Sequence, residues 1–233
     1  MEVNFETLTF ERPGHATVVV TTDDGQVTYI DPWSPVLGDD PKAADVVLVS
    51  HDDYDHYDPD AIRSIATQDT TVAAYDQIDT DELDLDVTPI PADGEVDVND
   101  RIRARALPAY NDPDGEHVRE SGDPFHAEGE VIGLLLTIDG VDVYFASDTD
   151  FLDELADVEA DVFIPPIGGS FTMDRREAAE FAESVDPELV LPVHYNTRKD
   201  FPDVSDTFER IETDADAFAS DVESRTDATV KLF

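Results

Sequence analysis

The chain has 233 residues, of which 57 are Asp or Glu and only 14 are Lys or Arg, for a formal net charge of −43. That length allows one substantial domain or two small ones, and no Gly/Ser or Pro-rich linker divides it, so a single domain over residues 1–233 is expected. Cysteine is absent, which excludes a disulfide framework and any thiolate ligand or nucleophile.

So large a charge ordinarily argues for disorder. Here 40% of the residues are hydrophobic and fall in strand-like and helix-like patterns from end to end, so a folded core is expected. Lysine is confined to Lys42, Lys199 and Lys231, and the acidic excess is mostly Asp scattered along the chain. Such a surface repels itself at low salt and is screened at high salt. It resembles the cytoplasmic proteins of salt-accumulating haloarchaea. A polyanion would meet no basic stripe, so nucleic acid is not an expected partner. No apolar run reaches the roughly 20 residues of a membrane span, and Met1–Asn4 lacks the basic and apolar regions of a signal peptide. A cytoplasmic protein with a small-molecule substrate and no membrane partner is expected, with homo-oligomerisation left open.

In chain order, alternation predicts a first strand over residues 2–10 and a second over 17–21. Asp24-Gly25 is a hairpin turn signal leading into a strand at 27–30, which ends at Asp31-Pro32-Trp33. Residues 45–49, with the apolar run Val46-Val47-Leu48-Val49, read as a buried strand that empties into Ser50-His51-Asp52-Asp53-Tyr54-Asp55-His56. Asp58-Pro59 has the form of an N-cap and first-turn proline, opening a helix to about residue 66. A strand at 71–74 follows, and then an acidic, turn-rich stretch, 76–101, with no clear pattern. Residues 102–107 alternate as a strand. Residues 108–130 form a long polar loop carrying His117, expected to be exposed, and His126; loops of this length are uncommon unless functional. A hairpin spans 131–138 and 141–146 about Asp139-Gly140. A short buried strand at 162–164 precedes Pro165-Pro166-Ile167-Gly168-Gly169, where the glycine pair lacks the Lys of a phosphate loop and reads as a tight turn. Asp174 caps a helix to about 184, a strand at 189–193 ends at His194, and helical patterns lead to a last strand at 228–233. Strand-rich hairpins followed by alternating strands and helices suit an α/β (α+β) architecture of two packed sheets with helices outside.

Three of these segments share one construction, an apolar strand followed by metal-binding side chains at its C-terminal end. They lead into His51–His56, Asp148 and His194. Catalytic metal sites draw ligands from distant parts of a chain and keep a position open for water. Imidazole and carboxylate together suit zinc, iron or manganese.

These segments, in their order, resemble the metallo-β-lactamase superfamily of metal-dependent hydrolases, and within it the branch related to L-ascorbate-6-phosphate lactonase. Gly14-His15-Ala16-Thr17, Tyr29-Ile30-Asp31-Pro32-Trp33, His51-x-Asp53-x-Asp55-His56, Pro108-Ala109-Tyr110-Asn111 with Phe125-His126, Ser147-Asp148-Thr149, Pro166-Ile167-Gly168-Gly169 with Thr172-Met173, and Pro192-Val193-His194-Tyr195-Asn196 carry the resemblance across nearly the whole chain. It implies a four-layer αβ/βα sandwich, the metallo-β-lactamase fold, with one or two divalent metal ions in a cleft at one end of the sheets. It implies a second site of Asp55, His56, Asp148 and His194, with Asp148 bridging to a first site of His51, Asp53 and His126. Asp55 and Asp148 are then the catalytic carboxylates, orienting the nucleophile or moving its proton. His15, Asp31, Tyr110 and Asn111 are expected in the surrounding shell or against substrate.

The chain departs from the family pattern at Asp53, which stands where the second histidine of HxHxDH belongs, and in lacking a histidine near Tyr110-Asn111. Zinc is the first expectation for the metal; the harder oxygen of Asp53 favours manganese or iron at its position. The expected activity is metal-dependent hydrolysis of a small ester, lactone or phosphate-bearing substrate. The competing expectation is a degenerate relative that binds metal or ligand without turnover.

Overall fold

The computed structural model describes residues 1–233. Two seven-stranded sheets run in sequence order. The first comprises β1 (Glu2–Phe5), β2 (Leu8–Gly14), β3 (Thr17–Thr22), β4 (Val27–Ile30), β5 (Val46–Val49), β6 (Thr71–Tyr75) and β7 (Val87–Ile90). The second comprises β8 (Glu95–Asp97), β9 (Ile102–Ala109), β10 (Val131–Ile138), β11 (Val141–Phe145), β12 (Val162–Ile164), β13 (Leu189–Val190) and β14 (Thr229–Val230). Each sheet starts as an antiparallel meander and continues as parallel strands, the change falling at β4 in one and at β11 in the other.

Five α-helices accompany the sheets, α1 (Ser34–Leu37), α2 (Pro59–Ile65), α3 (Arg175–Val185), α4 (Thr197–Asp200) and α5 (Ala215–Arg225), with short 3-10 turns at Asp81–Leu83, Asp153–Leu155 and Asp206–Ile211. Asp58 caps α2 by accepting from the Asp60 and Ala61 amides, and Asp174 caps α3 through those of Arg176 and Glu177. The buried stripe of α3, Ala178, Ala179, Phe181, Ala182 and Val185, has helical spacing. With Phe218 and Val222 of α5 it covers Tyr144 and Phe163 on the outer face of the second sheet. Between the sheets, Phe10, Val18, Val20, Leu48, Leu134, Leu136 and Phe145 belong to the main core. All four residues of β5 are buried, as expected of a parallel strand covered on both faces. The layered α/β sandwich expected from the sequence is therefore present. No helix is long and apolar enough to cross a membrane.

Several local expectations are corrected. The predicted strand at 2–10 is two strands, β1 and β2, turning at Glu6, whose φ is 48°. Alternation continues on both sides of the turn and hides it, because no Gly, Asn or Pro marks the corner. The unassigned stretch 76–101 holds β7 and β8, the short edge strands where the chain leaves one sheet and enters the other. The predicted strands at 189–193 and 228–233 shrink to β13 and β14; Pro192, lacking an N–H, interrupts the first.

Candidate metal centre

The parallel strands end together, and their C-terminal loops build one cleft. β4 delivers Asp31, β5 delivers His51 to His56, β11 delivers Asp148, and the segment after β13 delivers His194. His15 comes from the turn between β2 and β3. Asp31, Ser147, His194 and His15 all have positive φ, between 48° and 60°. For non-glycine residues this conformation costs on the order of 1 kcal/mol each and clusters at functional sites.

At the centre Asp148 is buried. Its carboxylate lies 3.2 Å from His194 Nε2, 3.5 Å from His56 Nε2 and 3.6 Å from His126 Nε2. Asp148 Oδ1, His56 Nε2 and His51 Nε2 are buried without a hydrogen-bond partner. Two ligands on one tetrahedral ion, bonded at 2.0–2.1 Å, stand about 3.3 Å apart. Orphaned, buried nitrogen and oxygen atoms at that spacing fit a shared cation and fit poorly as a finished hydrogen-bond network. His15, Asp55, His56 and His194 present ligand atoms within 4.8 Å of one another, and so do His51, His126 and Asp148. The donor set is mixed imidazole and carboxylate, suited to a divalent transition ion.

The expected replacement residue, Asp53, is half-exposed at the rim. Its Oδ2 stands 3.3 Å from His126 Nε2 and 3.9 Å from His51 Nε2. His126 is brought there by Asn111, whose Oδ1 accepts from the His126 amide at 2.9 Å. Asn111 in turn donates through Nδ2 to Asp150 Oδ1 and the Phe171 carbonyl.

A layer behind the centre fixes the rings. Ser50 donates its backbone N–H to Asp31 Oδ1 at 2.8 Å and its hydroxyl hydrogen to Asp31 Oδ2 at 2.6 Å. His56 Nδ1 lies 2.8 Å from Asp31 Oδ2, and His51 Nδ1 lies 2.9 Å from Ser50 Oγ. Since the single Ser50 hydroxyl hydrogen goes to Asp31, the His51 ring must donate from Nδ1. Both imidazoles thus turn their Nε2 atoms to the cleft. His15 bridges Asp55 Oδ2 at 2.9 Å and Thr197 Oγ1 at 2.7 Å. Burial, with His194 and His56 nearby, pushes His15 down to about 3 despite Asp55. Burial also pushes His51 down to about 3, with the neighbouring His56 and His126 adding to it. For His56, burial opposes the charge, but Asp148, Asp31 and Asp55 outweigh it and raise the ring to about 10 in the metal-free protein. Burial works against ionised Asp148 too, yet His194, His56 and His126 hold it well below the usual carboxylate range.

The cleft above these residues encloses about 300 Å³. Tyr54, Phe125, Phe171 and Phe208 wall it, and Arg119 stands at its side. Two expectations change. The Tyr110 hydroxyl turns away from the cleft and donates to Glu154, so its side chain does not line the site. His117 is not simply exposed; its Nδ1 meets Asp150 Oδ1 at 2.7 Å and its side chain is 12% exposed. Residues that sequence reasoning missed include Ser50, Ser147, Thr197 and Arg12. Arg12 is partly buried and donates to the carbonyls of His15 and Tyr195, tying together the two segments that carry His15 and His194. An Arg-Pro-Gly run gives no sign of this. Gly168 was legible as a turn but not as a contact: a Cβ there would sit 2.3 Å from the His194 carbonyl oxygen.

A layered sandwich with strand-end histidines and aspartates converging in one cleft defines a metallo-β-lactamase-type hydrolase. The sequence model of the Beta-lactamase superfamily domain matches residues 9–194. A UPF0173 metal-dependent hydrolase of Methanosphaerula palustris is 30% identical over 225 residues, covering 94% of each chain. Another, from Methanoregula boonei, is 31% identical over 228 residues, covering 94% of this chain and 91% of its own. Among solved structures, one from Parabacteroides distasonis superposes with a TM-score of 0.81 at 24% identity, covering 100% of this chain and 96% of that one. Igni18, a metallo hydrolase from Ignicoccus hospitalis, superposes at 0.74 and 23% identity, covering 97% and 94%. The chain belongs to the metallo-β-lactamase superfamily and, within it, to the UPF0173 family of metal-dependent hydrolases.

Proposed function

We propose that the enzyme hydrolyses a small ester, lactone or phosphate-bearing substrate at a centre of one or two divalent ions. His51, Asp53, His126 and Asp148 would hold the first ion, and Asp55, His56, Asp148 and His194 the second, with Asp148 shared. The observation that carries this is the approach of three histidine Nε2 atoms to one buried carboxylate at 3.2–3.6 Å, with Asp148 Oδ1 and His56 Nε2 otherwise unpartnered. A bound divalent ion supplies Lewis acidity and lowers the pKa of its water from 15.7 toward about 7.

The chain's own residues do the rest. Asp31 and Ser50 hold His56 and His51 with Nε2 toward the cleft. His15 fixes one oxygen of Asp55, leaving Oδ1 to orient the attacking water or take its proton. Tyr54, Phe125, Phe171 and Phe208 give the substrate apolar walls and limit access of bulk water. Each site offers two imidazoles and two carboxylates, and this hard donor set supports manganese or iron beside zinc.

The finer assignment to the branch of L-ascorbate-6-phosphate lactonase rests on the motif order. A salt-rich cytoplasm, a one-domain organisation and no nucleic-acid partner rest on the evenly spread charge of −43 and the lack of a linker or basic stripe.

The test is metal analysis after purification in molar salt, with ester, lactone and phosphoester assays. One or two tightly held ions per chain and hydrolysis lost in the double variant His56→Ala, His194→Ala are expected. Hydrolysis that survives both substitutions removes the mechanism. Bound metal with no turnover of any such substrate would leave a binding protein instead.

A further inference from the structure

The cleft of this acidic chain contains one cation. Arg119 borders both the cleft and the adjoining hollow of about 440 Å³ formed with Tyr75, Gln77 and Ile78. No other Lys or Arg lines either space, while Asp52, Asp53, Asp55, Glu130 and Asp148 do. In such surroundings a guanidinium is expected to find a carboxylate, and Arg63, Arg101, Arg103, Arg175, Arg198 and Arg225 all do. Arg119 has no carboxylate oxygen within 4 Å. Arg12, Arg105, Arg176 and Arg210 also lack a carboxylate partner, but none of them lines either space; Arg210 stands behind the wall, its guanidinium carbon 4.9 Å from the Phe171 ring centre and 5.6 Å from that of Phe125.

Arg119 is instead held by backbone. Its Nε donates to the Pro124 carbonyl at 3.3 Å and its Nη2 to the Phe125 carbonyl at 2.9 Å. The Arg119 amide bonds the Asp123 carbonyl at 2.7 Å, and the Gly122 amide returns to the Arg119 carbonyl, closing a small turn. The guanidinium carbon sits 5.2 Å from the centre of the Phe125 ring, which meets Phe171 edge-on at 5.0 Å. One edge of the fork is thus spent on positioning, while Nη1 and the second Nη2 hydrogen are unused. A planar, preorganised fork with free donors is suited to a carboxylate or phosphate.

We propose that Arg119 reads a substrate oxyanion, a carboxylate or phosphate group that lies at the side of the cleft while the scissile bond lies over Asp148. The inference rests on the hydrolase reading for the second half of that statement only; the anion site stands on its own geometry. Arg119 is a specificity-determining residue here, placed by the 118–125 turn beside His126.

The experiment uses the metal-loaded full chain in potassium chloride of fixed concentration. Wild type, Arg119→Gln and Arg119→Lys are compared on neutral p-nitrophenyl butyrate and on mono-p-nitrophenyl glutarate, which carries a carboxylate. Phenylphosphonate and benzoate are titrated calorimetrically as binding probes that need no turnover. The charged-over-neutral ratio of kcat/KM is expected to fall about tenfold in Arg119→Gln, chiefly through KM, and to recover in part in Arg119→Lys. The tighter of the two probes is expected to bind about tenfold more weakly to Arg119→Gln, and which one is tighter distinguishes a phosphate from a carboxylate group. An unchanged ratio together with unchanged probe affinity overturns the proposal. Equal loss in both variants, accompanied by lost metal, overturns it too by making Arg119 a clasp for the loop. Probe binding that depends on Arg119 without ester turnover supports the anion site while removing the hydrolase reading. Turnover indifferent to Arg119 does the reverse.

Discussion

Ser147 donates its hydroxyl hydrogen to Ser50 Oγ at 2.8 Å, joining two strand ends that lie 97 residues apart in sequence. The acceptor is already committed, for Ser50 gives its own hydrogen to Asp31 and receives one from His51. This one oxygen links the loops after β4, β5 and β11, and it sets the direction in which His51 faces. Ser50→Ala should therefore remove the partner of His51 Nδ1 and unsettle Asp31. Groups of this kind behind a metal ligand are worth about 10–100-fold in metal affinity. A loss in that range is expected in competition with a chelator, with the fold retained by circular dichroism.

Asp31 tests the same layer more severely. It is fully buried and accepts from Ser50 N, Ser50 Oγ and His56 Nδ1. Asp31→Asn keeps the shape but places N–H donors where the structure needs acceptors. One donor must then face another in a buried site, a loss of about 3–5 kcal/mol when a buried charged pair is broken. Chemical denaturation in molar salt should show a drop of that order, with metal content falling alongside. A variant as stable as wild type would mean that Asp31 does not carry the network.

Much of this arrangement was visible in the sequence for a simple physical reason. Parallel strands buried on both faces must be continuous apolar runs, so Val46–Val49 and the runs before Asp148 and His194 announce both the strands and their ends. Directions were not visible. The motif Pro108-Ala109-Tyr110-Asn111 places Tyr110 near the site but does not show that its hydroxyl turns to Glu154. Ser147 occupies a position with φ 60° that suits glycine, and nothing local shows that its hydroxyl is the gain. The residues next to His117 in sequence are acidic and suggest exposure, whereas its partner Asp150 comes from another loop. The edge strands β7 and β8 are short, and of their seven residues only Ile90 is buried, so they bury too little to leave a pattern.

Gly168→Ala addresses the packing beneath His194. The added Cβ would stand 2.3 Å from the His194 carbonyl oxygen and 2.7 Å from Ile211 Cβ. Neither neighbour is the free end of a flexible side chain, so the backbone carrying His194 has to move. Overpacking of this kind costs about 1–3 kcal/mol. Both a lower melting temperature and a disproportionate loss of hydrolysis are expected, since the displaced residue is one of the proposed ligands. Loss of stability with unchanged specific activity would detach Gly168 from the site.

Salt should act on the whole surface. The net charge of −43 is spread along the chain and cationic partners are few. Lowering ionic strength lengthens the screening distance from about 3 Å at 1 M to about 30 Å at 0.01 M. Repulsion among carboxylates then reaches across the molecule and favours the expanded chain. The melting temperature should climb steadily from dilute buffer to molar potassium chloride, and sodium chloride should act alike if screening is the cause. A flat profile would contradict an electrostatic origin.

Asp53 offers the sharpest test of the metal reading, because it isolates one donor. The residue is half-exposed, its Oδ2 is 3.3 Å from His126 Nε2, and no other side chain hydrogen-bonds to it. Its replacement should therefore disturb the fold little. Asp53→His restores the second histidine of the family motif and exchanges an oxygen for a nitrogen. The first site then offers three imidazoles and one carboxylate, a softer set that shifts preference from manganese toward zinc. With both ions supplied in competition, the zinc-to-manganese ratio retained per chain should rise by about tenfold, while the second site, which lacks Asp53, should keep its original preference. Asp53→Ala should release only the first ion. If Asp53→His leaves the metal ratio untouched and Asp53→Ala leaves the metal count untouched, then Asp53 is a surface carboxylate and the first site is held without it.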